Sequence, residues 1–145
     1  MDSMNADYET DILLWSERQA ELLRQHAAAT KTNTGIDWQN VIEEVESVGN
    51  EQLHAVTSWL LQALVHTLKV HAWPLSRDVP HWQAEARLFR AQARRRYAPS
   101  MRRRIDLDDI YADALRALPD TMDDQPPLPV PGTCPLTLDD LLSRD

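Results

Sequence analysis

Carboxylate and imidazole side chains crowd the middle of this chain: Glu43, Glu44 and Glu46, then Glu51 with His54, then His66 followed by Lys69. Glutamate oxygens and histidine nitrogens are the donors that hold divalent metals in the cores of helical bundles, which makes Glu43, Glu46 and His66 the candidate metal ligands. Glu51-Gln-Leu-His54 is an isolated Glu-x-x-His. A di-iron site of the ferritin type needs that element twice, with two further glutamates on other helices, and the chain has one copy. The competing reading joins Glu43, Glu46, His66, Lys69 and Arg90 in a partly buried network of ion pairs and hydrogen bonds that sets helix register, because charges taken out of water are held by pairing. The network is the preferred reading, and with it no metal and no cofactor is expected.

A second chemistry lies in the arginines. Arg94, Arg95, Arg96, Arg102, Arg103 and Arg104 fall within eleven residues, with Tyr97 beside them as a stacking group, a composition that suits phosphate or nucleic-acid backbone. Against it stand a net charge of −8 and the lack of a recognition helix. An ion-paired surface facing Asp106, Asp108, Asp109 and Asp113 accounts for the same residues. Nucleophilic catalysis has less support. Ser47 and Ser58 lie in no elbow motif, Cys134 sits among prolines, and no glycine-rich loop is present to cradle a phosphate. His26, His54 and His81 read as solvent-facing, and His71 as a hydrogen-bonded core histidine.

These residues must be positioned by helices. With three glycines and no period-two alternation the chain offers little material for sheet. Leu13, Ala20 and Leu23 place a first helix over Thr10 to about Ala28, ended by a polar loop at Lys31–Gly35. Asp37 caps a second helix with Trp38, Ile42, Val45 and Gly49 on its inner face, and Gly49 serves as its C-cap or as a point of close helix contact. Asn50 then caps a third, central helix to about Trp73, stopped by Pro74. Its main stripe is Leu53, Val56, Leu60, Leu64, Leu68 and His71, with Trp59, Ala63 and Val70 as a second strip. A fourth helix runs from about Pro80 to Tyr97, turning Trp82, Ala86, Phe89 and Ala93 inward and setting Arg87, Arg90 and Arg94 on one flank. Pro99-Ser100 opens a short turn, and Asp106 caps a fifth helix through about Leu118. Most of the prolines follow, so residues 119–135 should run extended over the surface. Thr137 caps a last helical turn from Leu138 to Leu142.

The fold class is therefore all-α: one domain over residues 1–145, with a bundle of about five helices over 8–118 and an extended wrap with its terminal turn over 119–145. The lone cysteine leaves no disulfide framework and suits a reducing cytoplasm. The acidic start is no signal segment, and Trp59–Val65 is too short to cross a bilayer, so no membrane partner is expected.

Laid out in this way, the chain resembles the domain-of-unknown-function family 29, small helical proteins of bacteria. The resemblance rests on Tyr8, Asp11 and Trp15; on the segment Asp37–Gly49; on His66-Thr-Leu-Lys69 followed by Pro74; on Trp82 with Arg90; on Pro99-Ser100; and on Cys134-Pro-Leu-Thr-Leu-Asp-Asp-Leu-Leu142. It covers about Tyr8 to Leu142, with Val70 standing where the family pattern has tryptophan. It implies a helical fold and no established activity. The reading that follows is a non-catalytic interaction or accessory module with an unidentified protein partner or a second copy of itself. A metal-dependent enzyme on Glu43, Glu46 and His66 is the alternative, and anion binding by Arg94–Arg104 the third possibility.

Overall fold

In the computed structural model, which describes residues 7–30 and 35–144, the elements are α1 (Ile12–Ala29), α2 (Trp38–Ala72), α3 (Val79–Arg96), a 3-10 helix (Pro99–Arg104), α4 (Leu107–Ala117) and α5 (Leu138–Leu142). Residues 7–10 are helical as well. Among the described residues there is no strand beyond an isolated antiparallel bridge between Met122 and Gln125, and the chain is all-α as expected. Residues 31–34 of the expected polar loop lie outside the described residues. Gly35, at its end, has φ +78°, a left-handed conformation that glycine adopts without a Cβ penalty.

The second and third helices expected from sequence are one. Helix α2 runs 35 residues without a break, and Gly49 is not its C-cap, because it stays out of the left-handed region a C′ residue would use. The glycine has the other role that its position allowed. A Cβ built on Gly49 would lie 2.1 Å from the Ser16 Oγ and 2.8 Å from the Leu13 Cα, so α1 crosses α2 with its backbone against the glycine. No proline interrupts 38–72, and one glycine weakens a helix interior by only about 1 kcal/mol, less than the packing that holds it.

Contacts group the chain into two compact units, residues 1–54 with 97–104 and residues 55–96 with 105–145. The first holds α1, the opening half of α2 and the 3-10 helix. Its buried side chains include Leu13, Ser16, Ala20, Ile42, Ala98 and Met101. Asp11, also buried, caps α1 by accepting the Leu14 N–H at 3.0 Å, and takes the Ser100 N–H at 2.8 Å and the Ser100 hydroxyl at 2.6 Å. A buried carboxylate without donors is strongly disfavoured; three donors make this one a clasp between residues 89 apart in sequence. Tyr8 stands edge-on to Trp15 over the same helix start.

The second unit holds the rest of α2, then α3, α4, the proline-rich strap and α5. Val56, Leu60, Ala63, Leu64, Val65, Leu68 and Ala72 of α2 are buried with Trp73, Trp82, Ala86, Ala93, Ile110, Tyr111, Ala114 and Leu141. Toward its end the buried side of α2 turns onto Val65, Leu68 and Ala72. That turn leaves His71 exposed, so the histidine expected in the core faces water. Asp106 caps α4 by accepting the Asp109 N–H. Thr137 caps α5 in a reciprocal box with Asp140, two orphan amides satisfied at once. No described helix is long and apolar enough to cross a membrane.

Gly49→Ala sets a gain in helix propensity of about 1 kcal/mol against a contact with the Leu13 backbone that cannot yield. The clash is expected to win, with net destabilisation of about 1–3 kcal/mol read as a lower melting temperature by circular dichroism. Gly49→Ala with Ser16→Ala should recover only part of the loss, since the Leu13 Cα remains. A single variant as stable as the wild type would show that the helices separate freely at this crossing.

Candidate functional site

Four members of the expected polar network, Glu46, His66, Lys69 and Arg90, have partners of their own. Glu46 pairs with Arg24 of α1, and that carboxylate raises the guanidinium above its ordinary range, foremost through the hydrogen bond. Glu43 is exposed, and with Glu46, Ser47, Asn50, Glu51 and His54 it lines a shallow groove. His66 is turned back on its own helix, with Nδ1 2.7 Å from the Gln62 carbonyl. A carbonyl only accepts, so Nδ1 carries the proton. The ring leans on Phe89 at 5.0 Å, which in turn stacks on Trp59. Lys69 lies 6.0 Å over the Trp82 ring, a cation–π contact. Among the described residues no three His, Cys, Asp or Glu side chains form a group able to hold a metal ion. The candidate ligand set of Glu43, Glu46 and His66 is thus not assembled: Arg24 takes Glu46, the Gln62 carbonyl takes His66, and Glu43 stays exposed.

Arg90 has the most developed environment of the five. Its Nε donates to the Leu141 carbonyl at 3.0 Å, and its Nη2 to the Asp140 carbonyl at 2.5 Å and the Ser143 carbonyl at 3.4 Å. Arg94 adds a bond to the Ser143 carbonyl at 3.1 Å. The last carbonyls of a helix have no partner within it, and here two guanidiniums supply the donors, docking α5 on α3 with Leu141 buried. The tail therefore docks on its own chain.

The six arginines weighed as a possible anion-binding surface divide between tasks. Arg94 holds the tail, Arg104 pairs with Glu17, and Arg95, Arg96, Arg102 and Arg103 are exposed. Of the aspartates expected to face them, Asp106 caps α4 and Asp113 pairs with Arg116.

Sequence reasoning missed a cleft of the second unit. About 500 Å³ in volume, it is bounded by Ala72, Trp73, Pro74 and Leu75 at the end of α2, by Ser76 and Arg77 after it, and by Met122, Asp123, Gln125, Pro126 and Leu128 of the strap. The strap is placed by backbone chemistry. The Trp73 Nε1–H donates to the Gln125 carbonyl at 3.0 Å, and the Leu128 N–H donates to the Ala72 carbonyl at 2.9 Å. Asp123 and Asp124, with φ 53° and 60°, make a tight reversal closed by mutual Met122–Gln125 hydrogen bonds, the two-residue turn with both central residues left-handed. Farther along, the Tyr111 hydroxyl donates to the Pro131 carbonyl. Burial, and then the nearby Cys134, raise that phenol above its ordinary value. Leu75 is 97% exposed at the mouth of the cleft. The signals present in sequence were a Trp-Pro-Leu run at a helix end and a proline-rich tail; nothing in their spacing said that they meet.

An all-helical chain with a proline-rich strap closed by a short capped helix is the class of protein this geometry defines. The family described as Domain of unknown function DUF29 matches residues 8–145, and the chain belongs to that family. An α-helical protein of unknown function from Rhodospirillum rubrum, known from a crystal structure, is similar to it with a TM-score of 0.83 and 25% sequence identity, over 95% of this chain and 90% of that one. No curated protein matches the chain.

Two outcomes follow from the partners just described. Glu46→Ala breaks an exposed ion pair, which contributes little in water, and should shift the melting temperature by less than about 3 °C. Arg90→Ala leaves the α5 carbonyls short of donors and is expected to destabilise by about 1–3 kcal/mol and to raise amide exchange around Leu141 before the rest of the unit. The reverse ranking would mean that Glu46, and not Arg90, holds a structural network together. The Asp140 carboxylate is held below its ordinary value, first by the Thr137 backbone N–H and then by the Thr137 side chain. A depressed folded-state pKa gives stability that is present above the unfolded value and lost as pH falls through the folded one. Exchange protection in α5 should therefore persist through the usual carboxylate range and drop only below it, and Asp140→Asn should abolish that acid step.

Proposed function

We propose that the protein is a non-catalytic interaction module, working in a reducing cytoplasm, that receives an extended apolar peptide segment of a partner protein in the cleft between the end of α2 and the strap. The observation that carries this is the way the same surface already holds extended backbone. The indole N–H of Trp73 and the carbonyl of Ala72 bind Gln125 and Leu128 of the strap, and the cleft continues beside them with Leu75, Met122, Pro126 and Leu128 as apolar wall. Arg77 and Asp123 at its edge carry opposite charges, which suits the orientation of a peptide more than the activation of a nucleophile. Cys134 is half-buried with its Sγ 3.2 Å from the Leu136 carbonyl, a thiol with a local partner. A metal-dependent activity on Glu43, Glu46 and His66 has no support from the environments of those residues.

Covering an exposed leucine is worth about 1.5–3 kcal/mol, roughly ten- to a hundredfold in affinity. Selection of a random peptide display library on the full chain is expected to enrich extended apolar peptides whose affinity falls by at least about tenfold in Leu75→Asp, with the melting temperature unchanged because Leu75 is exposed. Failure to enrich any peptide, or peptides that bind Leu75→Asp as well as wild type, would overturn the assignment. So would a wild-type dimer in sedimentation that Leu75→Asp converts to monomer, since the cleft would then belong to a second copy of the chain.

A further inference from the structure

We infer that a second cleft, between α2 and α3 in the second unit, binds a small phosphate monoester. The cleft has a volume of about 420 Å³ and is lined by Thr67, Val70 and His71 of α2 and by Gln83, Ala86, Arg87 and Arg90 of α3. No carboxylate lines it, in a chain with 23 acidic and 15 basic residues. Two guanidiniums, an imidazole and an amide are the groups able to donate there, since the Thr67 hydroxyl already donates to the Ala63 carbonyl at 2.9 Å.

Arg90 is what makes the cleft more than a basic patch. Its Nε and Nη2 are fixed on the Leu141, Asp140 and Ser143 carbonyls, so the planar group is held in place before a ligand arrives and Nη1 remains as the arm for it. A preorganised guanidinium loses little freedom on binding. Asp140, the acid that feels the charge of Arg90, is itself bound to Thr137, which leaves its carboxylate committed elsewhere. Arg87 lies one turn before Arg90 on α3 and His71 stands at the end of α2, both exposed. Two guanidinium charges, that of Arg90 held in place, with further N–H donors match a dianion with three terminal oxygens better than a single carboxylate. Val70 and Ala86 give an apolar wall, and the volume exceeds what a bare anion fills, so the phosphate should carry an organic group.

The test is calorimetric titration of the full chain, in phosphate-free buffer, with phenyl phosphate and with inorganic phosphate. Phenyl phosphate is expected to saturate at one per chain and to bind more tightly than inorganic phosphate, its ring covering Val70 and Ala86. Arg87→Gln and His71→Gln, both at exposed positions and checked for unchanged melting, should each weaken it, Arg87→Gln by about tenfold or more. Arg103→Gln and Leu75→Asp should leave it unaltered, which separates this site from the arginines near residue 102 and from the peptide cleft. The inference is overturned by the lack of saturable binding at millimolar ligand, by binding that ignores Arg87→Gln, by equal loss in Arg103→Gln, or by inorganic phosphate binding as tightly as the phenyl ester.

Discussion

A tryptophan buried just past the end of a long helix creates two demands at one place. The indole N–H of Trp73 must find an acceptor, and the last carbonyls of α2 must find donors, because neither group reaches a partner within the helix. The strap answers both, with the Gln125 carbonyl on the indole and the Leu128 N–H on the Ala72 carbonyl. The Gln125 carbonyl also accepts the Met122 N–H at 3.0 Å, so both of its lone pairs are used. Prolines flanking these contacts carry no N–H of their own, which is why so exposed a segment can lie along the protein with few polar debts. Both sides of the large cleft are set by this arrangement, α2 giving one and the strap the other.

The same logic recurs at the far end of the tail. Helix α5 has five residues, far too few to be stable alone. It exists because Thr137 and Asp140 close its start, Arg90 and Arg94 bind its last carbonyls, and Leu141 is buried. Arg90 thereby serves packing and also lines the polar cleft beside it. In the first unit Asp11 has the equivalent place, a buried carboxylate that both starts α1 and fixes Ser100 of the 3-10 helix.

These clasps give a structural account of several residues that carry the family resemblance. Asp11 and Ser100 bond one another, Gly49 lies against α1, Lys69 covers Trp82, and Arg90 receives the terminal Thr-Leu-Asp-Asp-Leu-Leu segment. Their shared feature is that each joins segments distant in sequence. The similarity to the Rhodospirillum rubrum protein over nearly the whole of both chains agrees with a fold held by such contacts.

Local chemistry made much of this protein legible from its sequence alone. Apolar spacing, the caps Asp106 and Thr137, and the stop at Pro74 act over a few residues, so the helical class, most helix ends and the terminal turn could be read directly. The junction at Gly49 was ambiguous for a physical reason: a glycine that ends a helix and one that admits a neighbouring backbone look alike until the neighbour, α1, is in place. The candidate site shows the same limit. Glu46, His66 and Arg90 were recognisable as polar residues needing partners, but a charge in sequence does not say which opposite group will reach it. Arg24, the Gln62 carbonyl and the α5 carbonyls took those places only once the tertiary structure had brought them near. The clefts belong to tertiary structure entirely, since a concave surface is made by the distance between elements, and no residue carries that distance in its own chemistry.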